Sequence, residues 1–287
     1  MNHQAKLIRF FLSVASVLVV VTLPNPASAE PSAEVLAASG VEWSPLNPAR
    51  GDASPRAADL WGDRREDGAT GFLVKFKDGF SSPPHIHNVT YRGVVIRGLV
   101  HNDDPGAETA WMPPGSFWTQ PAGESHITSA KGGENIAYIE IQAGPYLVHP
   151  TDQAFDNGER SVNMHAANLV WLDADDLTRI KPSKADNGDA SGVEIAFLWG
   201  DPNGGQPSGA LLKLPAGFTG TLRGNDSWLR AVVIAGQFTY RSSDETEPVS
   251  LAPGSYFGAS GRITHHLSTQ TETTLYVRTT GRFEVNR

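Results

Sequence analysis

Cysteine is absent from all 287 residues. Disulfides, thiol nucleophiles and thiolate metal ligands are thereby excluded. Positive charge is scarce: 23 Lys and Arg stand against 31 Asp and Glu, a formal net charge of −8 with His neutral. A surface with that balance repels polyphosphate, so nucleic acid and anionic membrane are not expected partners. Long apolar runs are missing beyond the first residues, and no extended 3.6-residue periodicity follows them. What is present at the N-terminus is a leader pattern. Lys6 and Arg9 precede the apolar stretch Phe10 to Leu23, and Ala27-Ser28-Ala29 supplies small residues at a cleavage site. That stretch is short for a bilayer span, which takes about 20 residues. Residue 30 is Glu rather than the Cys of a lipoprotein anchor. The expectation is a signal peptide over residues 1–29, cleaved after Ala29, and a periplasmic or secreted product. Removing Lys6 and Arg9 with the leader takes the formal charge from −8 to −10.

The remaining sequence repeats itself at an offset of 138 residues. Leu60-Trp61-Gly62-Asp63 recurs as Leu198-Trp199-Gly200-Asp201. Gly71 to Lys75 recurs as Gly209 to Lys213, and Arg92 to Gly98 recurs as Arg230 to Gly236. Pro114-Gly115-Ser116-Phe117 recurs as Pro253-Gly254-Ser255-Tyr256, one residue out of step. A period this long is a duplicated domain rather than a solenoid unit. Within each copy, apolar and β-branched runs of four to eight residues alternate with Gly, Pro, Asn and Asp clusters, which is strand texture. The expected fold is all-β, with domains at 30–150 and 151–287 and a linker near Gly144–Asn168.

Two stretches of the first copy read as one metal site. In Gly79-Phe-Ser-Ser-Pro-Pro-His85-Ile-His87, a strand places both imidazoles on one face, because strand side chains alternate. In Gly115-Ser-Phe-Trp-Thr-Gln-Pro121-Ala-Gly123-Glu-Ser-His126, a third His comes from another strand and closes a facial set. These glycines, histidines and spacings resemble the cupin superfamily, whose first motif is G-x5-H-x-H-x3,4-E-x6-G and whose second is G-x5-P-x-G-x2-H-x3-N. Tyr91 stands where the first motif has Glu, and Ala130 where the second has Asn. The His85–Gly98 context and the paired layout further resemble the two-domain family DUF4437. The resemblance implies two tandem cupin (double-stranded β-helix, jelly-roll) barrels and one divalent metal ion: Fe, Zn, Mn or Ni.

Subtracting the second copy separates site from scaffold. Arg223, Asn225 and Leu229 stand where the first copy has His85, His87 and Tyr91. Arg stays protonated and an amide is a weak donor to a transition metal, so the second barrel is expected to be metal-free. His265 aligns with His126 and reads as a hydrogen-bonded structural residue. Trp61, Asp63, Arg92 and Gly115 survive in both copies and read as scaffold, with Arg92 and Arg230 pairing a carboxylate or capping carbonyls. His101 is expected in a solvated hairpin loop, and His266, of opposite parity to His265, faces away from the interior. Asn88-Val-Thr90 and Asn225-Asp-Ser227 match the glycosylation acceptor, a short pattern common by chance.

The metal ligands expected are thus His85, His87 and His126, with Glu124 as a rival fourth. Tyr91 is a ligand, a hydrogen-bond partner or a packing residue. Gln120 is a polar contact in the pocket if Trp118/Gln120, and not Phe117/Thr119, face inward. Trp111, Phe117 and Trp118 form an aromatic wall or barrel core. The partners expected are a small-molecule ligand and a second copy in a homodimer. Two function classes stand side by side: a metal-dependent oxygenase, lyase or isomerase, and a non-catalytic ligand-binding or sensing module.

Overall fold

The computed structural model describes residues 32–182, 192–224 and 228–287. The leader expected over residues 1–29, and Asn225 of the second copy, lie outside the described residues. The chain is all-β. Helical structure among the described residues is confined to short 3-10 turns, and no described helix is long and apolar enough to cross a membrane.

Most of the strands form three large sheets. One carries the first copy: Ser44–Pro45, Arg56–Trp61, Thr70–Phe76, Tyr91–Asp103, Ile127–Ile141 and Phe117–Gln120. Its two long strands pair antiparallel on both sides of a corner. Tyr91 to Val95 lie beside Ala137 to Ile141, and Leu99 to Asp103 lie beside Ile127 to Lys131, with register shifts between. Gly98 makes that corner with φ 73°, and a Cβ there would lie 2.0 Å from Asn135 Oδ1. The chain therefore turns without breaking, and one pair of strands serves two layers. The second copy uses two sheets, with Leu229–Ala235 and Phe238–Ser242 as separate strands across Gly236.

The boundary expected at 150/151 is crossed in both directions. Ala33–Leu36 pairs with Tyr256–Ala259 of the second copy, and Val162–Met164 pairs with Phe117–Gln120 of the first. The compact unit spans Pro31–Arg287. Gly144–Asn168, expected as a linker, is packed structure: Val148–His149 pairs with Ile86–His87, and Phe155 N–H bonds to Gly123 O. Its lack of periodicity reflects irregular backbone pinned by specific bonds, not freedom.

Three apolar clusters follow from strand parity. Phe72, Val74, Val95 and Trp118 point into the first copy's interior. Leu73, Val94, Ile96 and Phe117, one residue out of phase, meet Leu211, Val232, Ile234 and Tyr276 of the second copy. Leu212, Leu214, Leu229 and Val233 fill the second copy's interior. Strands buried on both faces explain runs such as Phe72-Leu73-Val74, apolar at every position.

The contact between the copies accounts for the residues they share. No carboxylate among the described residues pairs with Arg92; its guanidinium lies 4.0 Å over the ring of Trp199, and Arg230 lies 4.2 Å over Trp61. Each copy's Arg stacks on the other copy's Trp, a cation–π contact strengthened by desolvation. Trp61 Nε1 donates to Tyr138 at 3.2 Å and Trp199 Nε1 to Tyr276 at 2.8 Å. Gly71 and Gly209 leave room for those indoles: a Cβ would come within 2.2 Å and 2.1 Å of the Trp Nε1 atoms. At the same contact, Glu140 and Arg278 occupy equivalent places in the repeat and face each other at 3.9 Å, each 1 % exposed. Asp63 binds Arg65 through both carboxylate oxygens, holding its carboxyl down at about 2.

Candidate metal centre

His85 and His87 come from the segment that pairs with Val148–His149, and His126 from the start of the strand that crosses the corner. His85 and His126 bridge each other through both backbone N–H groups. One nitrogen from each of the three rings lies within 4.8 Å of the others. Among the described residues this is the one group of three or more His, Cys, Asp or Glu so placed.

The tautomer of each ring follows from its neighbour. His85 Nδ1 lies 2.9 Å from Pro83 O, His87 Nδ1 2.9 Å from Leu147 O, and His126 Nδ1 3.2 Å from Glu124 O. A carbonyl only accepts, so all three Nδ1 atoms carry the proton and all three Nε2 atoms present a lone pair. Burial keeps the rings neutral: it holds His126 down to about 3, pushes His87 well below the usual imidazole range, and lowers His85. Three neutral imidazoles oriented through their second nitrogen make a donor set that suits a divalent transition metal.

Tyr91 is buried at the family's Glu position, with its hydroxyl 3.2 Å from His126 Nε2. Its proton is committed elsewhere by a chain of amides. Gln120 Nε2 donates to Glu124 O at 3.2 Å, so Gln120 Oε1 faces Asn102 and accepts from Asn102 Nδ2 at 2.9 Å. Asn102 Oδ1 then accepts from Tyr91 at 2.8 Å and from Thr128 at 2.7 Å. One main-chain carbonyl thus fixes both amides, the Tyr91 proton and the His126 tautomer, leaving the His126 Nε2 lone pair free. Burial pushes the Tyr91 phenol far above its usual value, so it stays protonated.

Glu124 contributes its carbonyl and not its carboxylate. The carboxylate is outside the three-His group and turns toward Ser161 in a separate surface cavity. Gln120 is buried behind His126 and does not line the main cavity. Of the aromatics, Trp118 lines the cavity, Phe117 packs on the second copy, and Trp111 meets His101 edge-on, with ring centroids 6.2 Å apart, outside the site. His101 is not in a solvated loop. It is 2 % exposed within the strand Tyr91–Asp103, on the face opposite its neighbour Asn102.

Sequence reading missed four contributors. Tyr146 stacks on His87 with centroids 4.3 Å apart, and its hydroxyl lies 3.1 Å from His87 Nε2. Asn88 holds that segment by donating to Pro145 O at 2.9 Å and accepting from Leu147 N–H at 2.8 Å. Asn102 and Thr128 complete the amide chain. An aromatic in a Gly-Pro-rich stretch, Gly144-Pro145-Tyr146, was the only available signal for Tyr146. In the second copy Arg223 is exposed, Leu229 is packed in the core, and His265 Nδ1 lies 2.8 Å from the Tyr240 hydroxyl.

Residues 34–286 match the model of a domain of unknown function, DUF4437. The chain belongs to the DUF4437 family. No curated protein matches it. Solved structures with the same fold include a candidate dioxygenase from Nostoc punctiforme, at 16% identity and TM-score 0.62 over 86% of this chain and 82% of that one. Salicylate 1,2-dioxygenase from Pseudoaminobacter salicylatoxidans, solved with gentisate adducts, aligns at 15% identity and TM-score 0.57 over 88% and 85%. The protein YlbA of E. coli aligns at 13% identity and TM-score 0.59 over 86% and 90%. At these identities the likeness carries the cupin-like fold of this DUF4437 chain and leaves its chemistry to the site.

Proposed function

We propose that this DUF4437 chain is an exported two-barrel cupin that holds one divalent metal in its first barrel and acts there on a small molecule. The observation that carries the reading is the shared orientation of the rings: three Nδ1 protons are spent on main-chain carbonyls, which leaves Nε2 as the donor atom of each ring, and one nitrogen of each ring lies within 4.8 Å of the others. Export rests on the leader pattern of residues 1–29, and the two barrels rest on the 138-residue repeat and the antiparallel strands each copy forms. A metal held by His85, His87 and His126 would supply Lewis acidity toward a carbonyl or enolate and, as iron, redox chemistry with dioxygen.

The chain's own groups narrow the chemistry. The cavity in front of the histidines has a volume of about 240 Å³ and no Asp or Glu in its lining. Burial keeps Tyr91 and Tyr146 protonated. Neither a carboxylate nor a ready phenolate is at hand as a general base, so turnover would draw on the metal rather than on side-chain proton transfer. The dioxygenase names of two similar structures favour an oxygenase among the enzyme classes. The same lack of a base supports the second reading, a binding module that holds its ligand without converting it.

The test is metal analysis of protein matured by export, followed by oxygen uptake across a panel of small acids and diketones. One equivalent of metal per chain is expected, abolished by His85→Ala with His87→Ala, since one remaining imidazole does not hold the ion. Two equivalents, or one retained in the double variant, would overturn the assignment. Metal with no turnover across the panel would favour the binding module.

A further inference from the structure

The cavity's charge is one-sided. The lining includes His85 and His87 of the three neutral imidazoles, its walls are Val74, Phe76, Phe80, Trp118 and Ile139, and it contains one permanently charged residue, Arg50. Arg50 sits in the turn Pro48–Ala53, which is closed at its base. Asn47 N–H bonds to Ser54 Oγ at 2.9 Å, Leu46 N–H to Pro55 O at 2.8 Å, and Lys77 Nζ to Asp52 O at 2.6 Å. The loop is therefore anchored, and it sets the guanidinium 5.8 Å from the ring of Phe80 at the cavity wall. No carboxylate among the described residues pairs with Arg50, while Arg64, Arg65, Arg97, Arg160 and Arg278 all have acidic partners.

We propose that Arg50 is an anion-recognition residue of this site, and that the ligand is a small, largely apolar molecule carrying one carboxylate or similar anionic group. The inference rests on the metal-centre reading and deepens it. A divalent ion on three neutral ligands keeps its full charge, and the lining supplies no acid to offset it. Arg50 adds a second positive charge at the mouth. Positive charge at an apolar mouth with no acid in the lining is best complemented by an anion. The apolar walls restrict the rest of the ligand to hydrocarbon or aromatic surface. The volume, below the roughly 300 Å³ at which drug-sized sites begin, limits it to a small molecule. The overall negative charge of the chain makes the selection local: anions are repelled by the surface at large and favoured at this one mouth.

The experiment uses calorimetric titration of the full chain, loaded with redox-silent zinc and also metal-free, with benzoate and hexanoate against their uncharged partners benzamide and hexanamide. Metal content is measured on the same samples. At least one acid is expected to bind the loaded protein about tenfold more tightly than its amide. Arg50→Gln should erase most of that preference while leaving metal content and amide affinity unchanged; Arg50→Lys should restore part of it. Equal binding of acid and amide, no binding of either acid, or an equal loss for acid and amide in Arg50→Gln would overturn the proposal while the metal content stays intact. Protein that takes up no metal yet keeps an Arg50-dependent preference for the acid would refute the metal centre and leave the anion site standing.

Discussion

Asn102→Leu tests the logic of the site most directly. The substitution keeps the branched heavy-atom shape and removes both polar ends of the amide. Tyr91, Thr128 and Gln120 Oε1 each lose a partner that now lies 2.7 to 2.9 Å away. A buried polar group left unsatisfied costs about 1–3 kcal/mol. Tyr91 has an alternative in His126 Nε2 at 3.2 Å, whereas Gln120 Oε1 and Thr128 have none as near. Two stranded groups predict a loss of about 3 kcal/mol, which for a chain of this size is a fall in Tm of about 6 °C. The more specific consequence concerns the metal. Once Asn102 no longer accepts the Tyr91 proton, that proton turns to the His126 lone pair and competes with the ion. Displacing it, together with the looser ring, predicts a drop in metal affinity of about tenfold. Adding Tyr91→Phe removes the competing proton and should bring affinity back to within about threefold of the parent, although the double variant stays unstable. Tyr91→Phe alone should cost about 1 kcal/mol in stability, because Thr128 still holds Asn102 in place. The assay is competition for metal against a chromophoric chelator, with thermal unfolding in parallel. Asn102→Leu binding metal like the parent, or a tenfold loss that persists in the double variant, would refute the amide chain as the device that frees His126.

His265→Ala should leave the metal stoichiometry at one; a fall to zero by elemental analysis would place a ligand in the second copy. The same residue sets an acid limb. Burial holds His265 down to about 4, below the unfolded value of 6.5, so its contribution is complete above pH 6.5 and is lost as pH falls through 4. That window should hold about 3 kcal/mol of unfolding free energy, and metal-free His265→Phe should lose that much less across it than metal-free parent; parallel pH slopes would count against the assignment. At the contact between the copies, Glu140→Ala strands the buried guanidinium of Arg278 and should cost about 3–5 kcal/mol in chemical denaturation, whereas a loss under about 1 kcal/mol would mean that the pair is hydrated and not structural.

The linear sequence determined the all-β class, the repeat and the three histidines, because each depends on local pattern. Strand parity puts His85 and His87 on one face, and the offset of 138 residues lets one copy be read against the other. It left open whether Tyr91 or Glu124 meets the metal and whether Gln120 enters the pocket, since a turn of backbone decides where a side chain points. The fold turned the Glu124 carboxylate outward and its carbonyl inward, an outcome that no spacing rule encodes. It also brought in Asn102 and Tyr146 from segments that read as a hairpin loop and a linker, and Arg50 from a turn with no motif of its own. The repeat showed that Trp61 and Arg92 are kept in both copies, but their crossed stacking exists only once the two copies face each other. Periodicity is a property of neighbours along the chain, whereas proton ownership in a buried network is a property of neighbours in space. The first can be read from the residues in order; the second is fixed only when distant carbonyls and amides are packed into hydrogen-bond reach, without water to substitute for them.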